Sequence, residues 1–130
     1  MNEESHIKAT KEAMSKAYVP YSNYPVGVLI ITDKGNKFTG CNVENASYGL
    51  GLCAECGLVS NLIATGGGRL VAISCVDGHG NHLAPCGRCR QLLFEHGGSN
   101  ALLMTDDGPQ TMAAMLPWAF GPDDLDRNER

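Results

Sequence analysis

From residue 53 onward apolar side chains recur four apart, with Ala54, Leu58 and Leu62 in one row and Val59 and Ile63 beside it. That spacing predicts a helix, closed by Gly66-Gly67-Gly68. Elsewhere the apolar positions come in short unbroken runs. Val26 to Thr32 reads as a buried strand, 33–36 (Asp-Lys-Gly-Asn) as a turn, and Lys37 to Cys41 as a returning strand, which makes a hairpin. Leu70 to Val76 reads as a central strand and Ala101 to Thr105 as another. A first helix is expected from Asn2, its cap, with Glu3 and Glu4 in the first turn and an end near Tyr18, before Pro20. Pro85 opens a further helix that ends near His96-Gly97-Gly98 and carries Cys86 and Cys89 in its first turn. Residues 42–52 and 77–84 read as loops, 111–116 as a short helix and the C-terminal tail as solvated. No repeat, low-complexity segment or linker divides the chain, so residues 1–130 read as one domain. Helices alternating with buried strands predict a layered α/β domain with a mixed sheet.

Composition narrows the partners. Hydrophobic residues make up 43% and charged residues 18% of the 130, enough for a core and too little charge for a disordered chain. The net charge is −4 and the pI about 5.4. A groove that tracks nucleic acid needs a basic excess, so a small substrate fits better than a polymer. The longest apolar run, Val26 to Ile31, is far too short to cross a membrane. The N-terminal residues are polar and acidic rather than an apolar signal segment. A cytoplasmic chain with reduced thiols is therefore expected, and its six cysteines read as metal or redox groups before disulfides.

Cys53-Ala54-Glu55 and Pro85-Cys86-Gly87-Arg88-Cys89 carry the chemistry. Three thiolates hold one zinc ion and leave its fourth position open for water. Glu55, two residues from one ligand, reaches that water without binding the metal. A zinc held by Cys or His, a non-ligand glutamate and a P-C-x-x-C element together form the zinc-deaminase signature. Two other readings compete. Cys86 and Cys89 alone could be a redox pair, but that leaves Cys53-Ala54-Glu55 without a purpose. Cys56 completes a second C-x-x-C, so a closed, non-catalytic four-cysteine zinc module is the stronger rival. Against it, zinc-ribbon knuckles are turns rather than starts of apolar helices, and Glu55 would be a further anion beside an anionic cluster. Both metal-binding elements are expected at helix N-termini, whose dipoles favour thiolates. Cys41 and Cys75 read as small buried residues, and His79, His82 and His96 as surface or loop residues.

Several separate stretches together resemble the cytidine deaminases of nucleoside salvage. They are 18–27 (YVPYSNYPVG), 40–50 (GCNVENASYGL), 53–55 (CAE), 85–91 (PCGRCRQ) and 116–120 (LPWAF), in order and covering nearly the whole chain. The short, all-cysteine form is similar to the homotetrameric branch. The resemblance implies a three-layer α/β/α fold and zinc on Cys53, Cys86 and Cys89. It implies hydrolysis of cytidine and deoxycytidine to the uridine nucleosides and ammonia, with Glu55 moving the protons. It further implies that Asn42 and Glu44 bind the ribose, with Asn45, Ala46 and Ala54 also at the substrate. Tyr24 would face the base, where the family usually has phenylalanine; stacking needs only the ring face. Tyr48 and Phe120 would complete a neighbouring subunit's pocket. A carboxylate near the sugar repels phosphate, which favours nucleosides over nucleotides.

One position departs from the family. An arginine commonly follows the catalytic glutamate and offsets the thiolate charge; here that residue is Cys56. Arg88, between two ligands, is the expected replacement. Blasticidin-type aminoacyl-nucleoside deaminases share the P-C-G-R-C-R-Q stretch, but Asn42-Val43-Glu44-Asn45 favours the cytidine reading.

Overall fold

Five strands form one mixed sheet in the order β2-β1-β3-β4-β5, built from β1 (Gly27–Thr32), β2 (Lys37–Cys41), β3 (Leu70–Val76), β4 (Leu102–Thr105) and β5 (Gly108–Thr111). The computed structural model describes residues 3–128. β1 pairs antiparallel with both β2 and β3, β3 runs parallel to β4, and β4 turns back into β5. Val28 and Ile30 of β1 register with Cys75 and Ile73 of β3. These four point to one face, where they join Leu58 and Leu62 of α2 (Ala54–Thr65) and Leu93 of α3 (Gly87–Gly97). Leu29 and its partner Ser74 point to the other face, which α1 (Glu3–Met14) covers; there the Thr10 and Ser74 hydroxyls share a hydrogen bond at 3.3 Å. The result is the three-layer α/β/α arrangement. No described helix is long and apolar enough to cross a membrane.

Burial rather than intrinsic preference makes α2. Gly57 in its interior costs about 1 kcal/mol relative to alanine. Leu58 and Leu62, each 1% exposed, contribute about 1.5–3 kcal/mol apiece and outweigh it. Gly66 ends the helix in the left-handed region at φ 64°, and Gly67 donates back to the Leu62 carbonyl at 3.1 Å. Glycine is also required at position 40. A Cβ there would run into the carbonyl of Ala54, so β2 approaches the start of α2 closely enough to place Cys53 and Glu55.

Three elements differ from expectation. α1 ends at Met14, not near Tyr18. The chain leaves the helix because Tyr18 pairs with the 42–44 segment: its N–H donates to the Asn42 carbonyl at 3.0 Å, and Glu44 N–H donates to the Tyr18 carbonyl at 2.8 Å. Asn2, the expected cap, lies outside the described residues. β5 was not anticipated, because Gly108 and Pro109 break any strand pattern. A two-residue loop, Asp106-Asp107, brings Thr105 opposite Gly108 and folds β5 onto β4, and an edge strand tolerates proline. The tail is not simply solvated chain: Pro122–Asn128 forms α5, with proline at the first turn and Asp123 and Asp124 at the positive helix end. Between these, the expected short helix is α4 (Met112–Met115), capped by Thr111 Oγ1 accepting from the Ala114 N–H at 3.2 Å.

Candidate active site

Two helix N-termini converge on one cluster of sulfur. Cys53 is the N-cap of α2 and Cys86 the N-cap of α3, and Cys89 is the third residue of α3. Both cap positions have extended backbone, and neither thiol makes a capping hydrogen bond to its own helix. The sulfurs of Cys53, Cys86 and Cys89 lie within 4.8 Å of one another. Thiolates at zinc–sulfur distances of about 2.3 Å stand about 3.8 Å apart around a tetrahedral ion, so a small contraction makes the trio a zinc site. Cys56 is not in this group; it points instead to Arg88, whose Nη1 donates to its Sγ at 3.4 Å. Three protein ligands and an open fourth position therefore fit better than a closed four-cysteine site.

The electrostatics of the trio call for a cation. Burial pushes the Cys53 and Cys89 thiols up, so neither ionises readily by itself. Cys86, at the exposed end, is lowered, chiefly by the Cys89 N–H, although that contact falls short of a full capping hydrogen bond. Arg88 is raised by its bond to Cys56 and then by the charges of Cys56, Cys53 and Cys89. Its guanidinium thus stands in the field of the thiolates.

Glu55, the second residue of α2, is only 3% exposed and sits beside this cluster. Cys75 Sγ, on β3 beneath it, lies 3.9 Å from Glu55 Oε1. Burial pushes the Cys75 thiol up, so it remains a donor rather than a second anion. Cys75 is buried as expected, while Cys41 is only half-buried.

A cavity of about 430 Å3 opens beside the thiols, and Cys53 forms part of its wall. Asn42, Glu44, Asn45 and Tyr48 line it, together with Tyr21, Ser22 and Leu52. Tyr21 and Tyr48 meet edge to face with centroids 6.3 Å apart. Ala54 is buried at the start of α2, while Tyr24, Ala46 and Phe120 are exposed and stand outside this wall. Phe120 is held through its carbonyl, which accepts from Gln91 Nε2 at 2.7 Å. Tyr21 and Ser22 were not singled out from sequence as site residues. The signal available was the turn-forming run Pro20-Tyr21-Ser22-Asn23, but its placement against Glu44 depends on pairing across the fold.

The sequence is similar to known proteins over nearly its whole length. Residues 1–105 match the model of the cytidine and deoxycytidylate deaminase zinc-binding region. A cytidine deaminase of Mycobacterium tuberculosis is 57% identical over 119 residues, 92% of this chain and 90% of that protein. Crystal structures agree: cytidine deaminase from Mycobacterium leprae superposes with a TM-score of 0.85 at 59% identity, covering 90% of this chain and 98% of that one. The Mycobacterium tuberculosis enzyme superposes with a TM-score of 0.88 at 52% identity, covering 93% and 98%. With its three converging thiols and adjacent buried glutamate, the chain belongs to the zinc-binding cytidine and deoxycytidylate deaminase family.

Proposed function

We propose that this protein hydrolyses cytidine and deoxycytidine to uridine and deoxyuridine, releasing ammonia, in pyrimidine salvage. The observation that carries the reading is the buried Glu55 beside a three-thiol cluster, one of whose members, Cys53, lines a cavity of about 430 Å3 together with Asn42 and Glu44. Cys53, Cys86 and Cys89 hold the zinc, which when bound lowers the pKa of water toward neutrality. Glu55 takes a proton from the attacking water and delivers it to N3 of the pyrimidine as the water oxygen bonds to C4. It then moves the second proton to the amine that leaves C4. One carboxylate serves both transfers because it ends the cycle in the state in which it began. Arg88 offsets the charge of the thiolates from its place on Cys56.

Glu44 and Asn42 bind the sugar, and Asn45 and Tyr48, which line the same cavity, contribute to the substrate site; Tyr24, Ala46 and Ala54, which do not line it, are assigned there by the family resemblance alone. The negative Glu44 disfavours a phosphate there. With cytidine, deoxycytidine, cytidine monophosphate, cytosine and blasticidin S as substrates, the nucleosides are expected to react with kcat/KM at least about 100-fold above the monophosphate, roughly the cost of one like-charge contact of several kcal/mol. Equal efficiency on nucleoside and nucleotide would remove the role of Glu44. Faster turnover of blasticidin S than of cytidine would replace the cytidine reading.

The protein acts in the cytoplasm as a homotetramer with shared sites. Supporting this, Tyr48 is 83%, Leu50 65%, Phe120 58% and Trp118 103% exposed, a set of large apolar side chains that a lone chain leaves in water. Phe120 would then enter a neighbour's pocket. Truncation before Pro117 is expected to raise KM sharply with zinc retained. A fully active monomer in sedimentation would defeat the assembly.

A further inference from the structure

Asn42 and Glu44 lie two apart on an extended segment, so their side chains share one side. Asn42 spends part of its carboxamide on the backbone. Its Oδ1 accepts from the Val26 N–H at 2.9 Å, and its Nδ2 donates to the Tyr24 carbonyl at 3.0 Å. Glu44 is engaged by the same loop, but only as an acceptor. Its Oε1 accepts the N–H groups of Tyr21 at 3.0 Å and Ser22 at 3.1 Å, and its Oε2 accepts the Ser22 hydroxyl.

The direction of the Ser22 hydroxyl follows from its neighbours. Its oxygen accepts the Tyr24 N–H at 3.0 Å. An ionised carboxylate can only accept, so the hydroxyl proton points to Glu44. Asn23, at φ 56°, makes the turn that carries these donors round to the carboxylate, and asparagine tolerates that region better than most residues. The Ser22 hydroxyl, followed by the two amides, holds the Glu44 carboxyl below the usual carboxylate range. A carboxylate offers about four acceptor directions, so three donors leave one, on Oε2. Tyr21, Ser22 and Glu44 all line the cavity beside the thiols.

We propose that Ser22 is a positioning residue for the sugar contact: with the Tyr21 and Ser22 amides it fills three acceptor directions of Glu44, so the carboxylate meets substrate in one orientation and takes one further donor, a sugar hydroxyl. The proposal rests on the assignment of Glu44 to the sugar. It makes the site selective for nucleosides that present a hydroxyl proton there. A hydrogen, fluorine or ether oxygen at that place has nothing to donate.

The test compares the zinc-loaded wild type, Ser22→Ala and Ser22→Thr with cytidine and 2′,3′-dideoxycytidine, and measures zinc content on each sample. The wild type is expected to favour cytidine. Ser22→Ala should raise KM for cytidine about 10- to 100-fold, the scale of one hydrogen bond to a charged group, with a smaller change in kcat. KM for dideoxycytidine should move by less than about twofold, since that substrate draws little from the orientation of Glu44. Ser22→Thr keeps the hydroxyl and should restore the cytidine value. An equal rise for both substrates would mean that Ser22 only shapes the loop, and no change for either would mean that it does nothing for the sugar; each result overturns the proposal alone. A wild type that treats the two substrates alike would overturn the assignment of Glu44 itself, and the proposal with it.

Discussion

Glu55→Gln is expected to lower cytidine turnover by at least about 10²–10⁴-fold, the range for a single positioned acid–base group. The loss should reach or exceed the upper end, because one carboxylate serves successive proton transfers. The substitution is close to isosteric, and the side chain is only 3% exposed, so little repacking is required. The amide oxygen can still accept from Cys75, which lies 3.9 Å from Oε1 in the native chain. Zinc content and thermal unfolding should therefore stay near wild type while turnover collapses. Absorbance assays of cytidine loss, run beside metal analysis and circular dichroism, separate these outcomes. Near-normal turnover by the variant would sink the proton-shuttle mechanism.

The second large effect is expected from the thiols, which should divide by position rather than by residue type. Cys89 is fully buried and belongs to the trio within 4.8 Å. Cys89→Ala should weaken zinc binding by more than about 100-fold, beyond the 10–100-fold typical of partners outside the ligand set. Turnover should fall with it, and the melting temperature should drop because metal that binds only the native state stabilises it. Cys56→Ala should keep one zinc per chain. Arg88→Gln should lie between them, near tenfold weaker retention against a chelator, on the order of the partner effect just cited. It should also move the activity profile to higher pH, since less positive charge then opposes the thiolates. Should Cys56→Ala release the metal while Arg88→Gln leaves metal and pH profile unchanged, the site is a closed four-cysteine centre and the catalytic reading fails.

Local signals in the sequence reached the metal site because its parts are local. A ligand two residues before a glutamate and a P-C-x-x-C turn each sit at the start of a helix, and helix starts are written in short-range chemistry. The long apolar rows of α2 and the run of β3 were equally legible, and β3 spans Leu70–Val76 as expected. β5 was not, because its strand character comes from pairing with β4 across a two-residue loop rather than from its own residues. α1 stopped early for a related reason: Tyr18 is drawn into pairing with residues 42–44, a contact that no window around Tyr18 contains.

The chain's own pattern thus determined the layered α/β class and pointed to Cys53, Cys86 and Cys89, which the fold brings within 4.8 Å of one another, and to the glutamate beside them. Tertiary structure decided between Cys56 as a ligand and Cys56 as the seat of Arg88, since that choice depends on where the start of α3 meets α2. It also decided that Tyr21 and Ser22 clamp Glu44 across a separation of more than twenty residues. Periodicity and capping report the few residues that share a turn or a strand. A carboxylate's orientation is set by donors brought to it by distant chain, and only the folded sheet, with Gly40 allowing α2 to close on β2, puts those donors and Cys53 around one cavity.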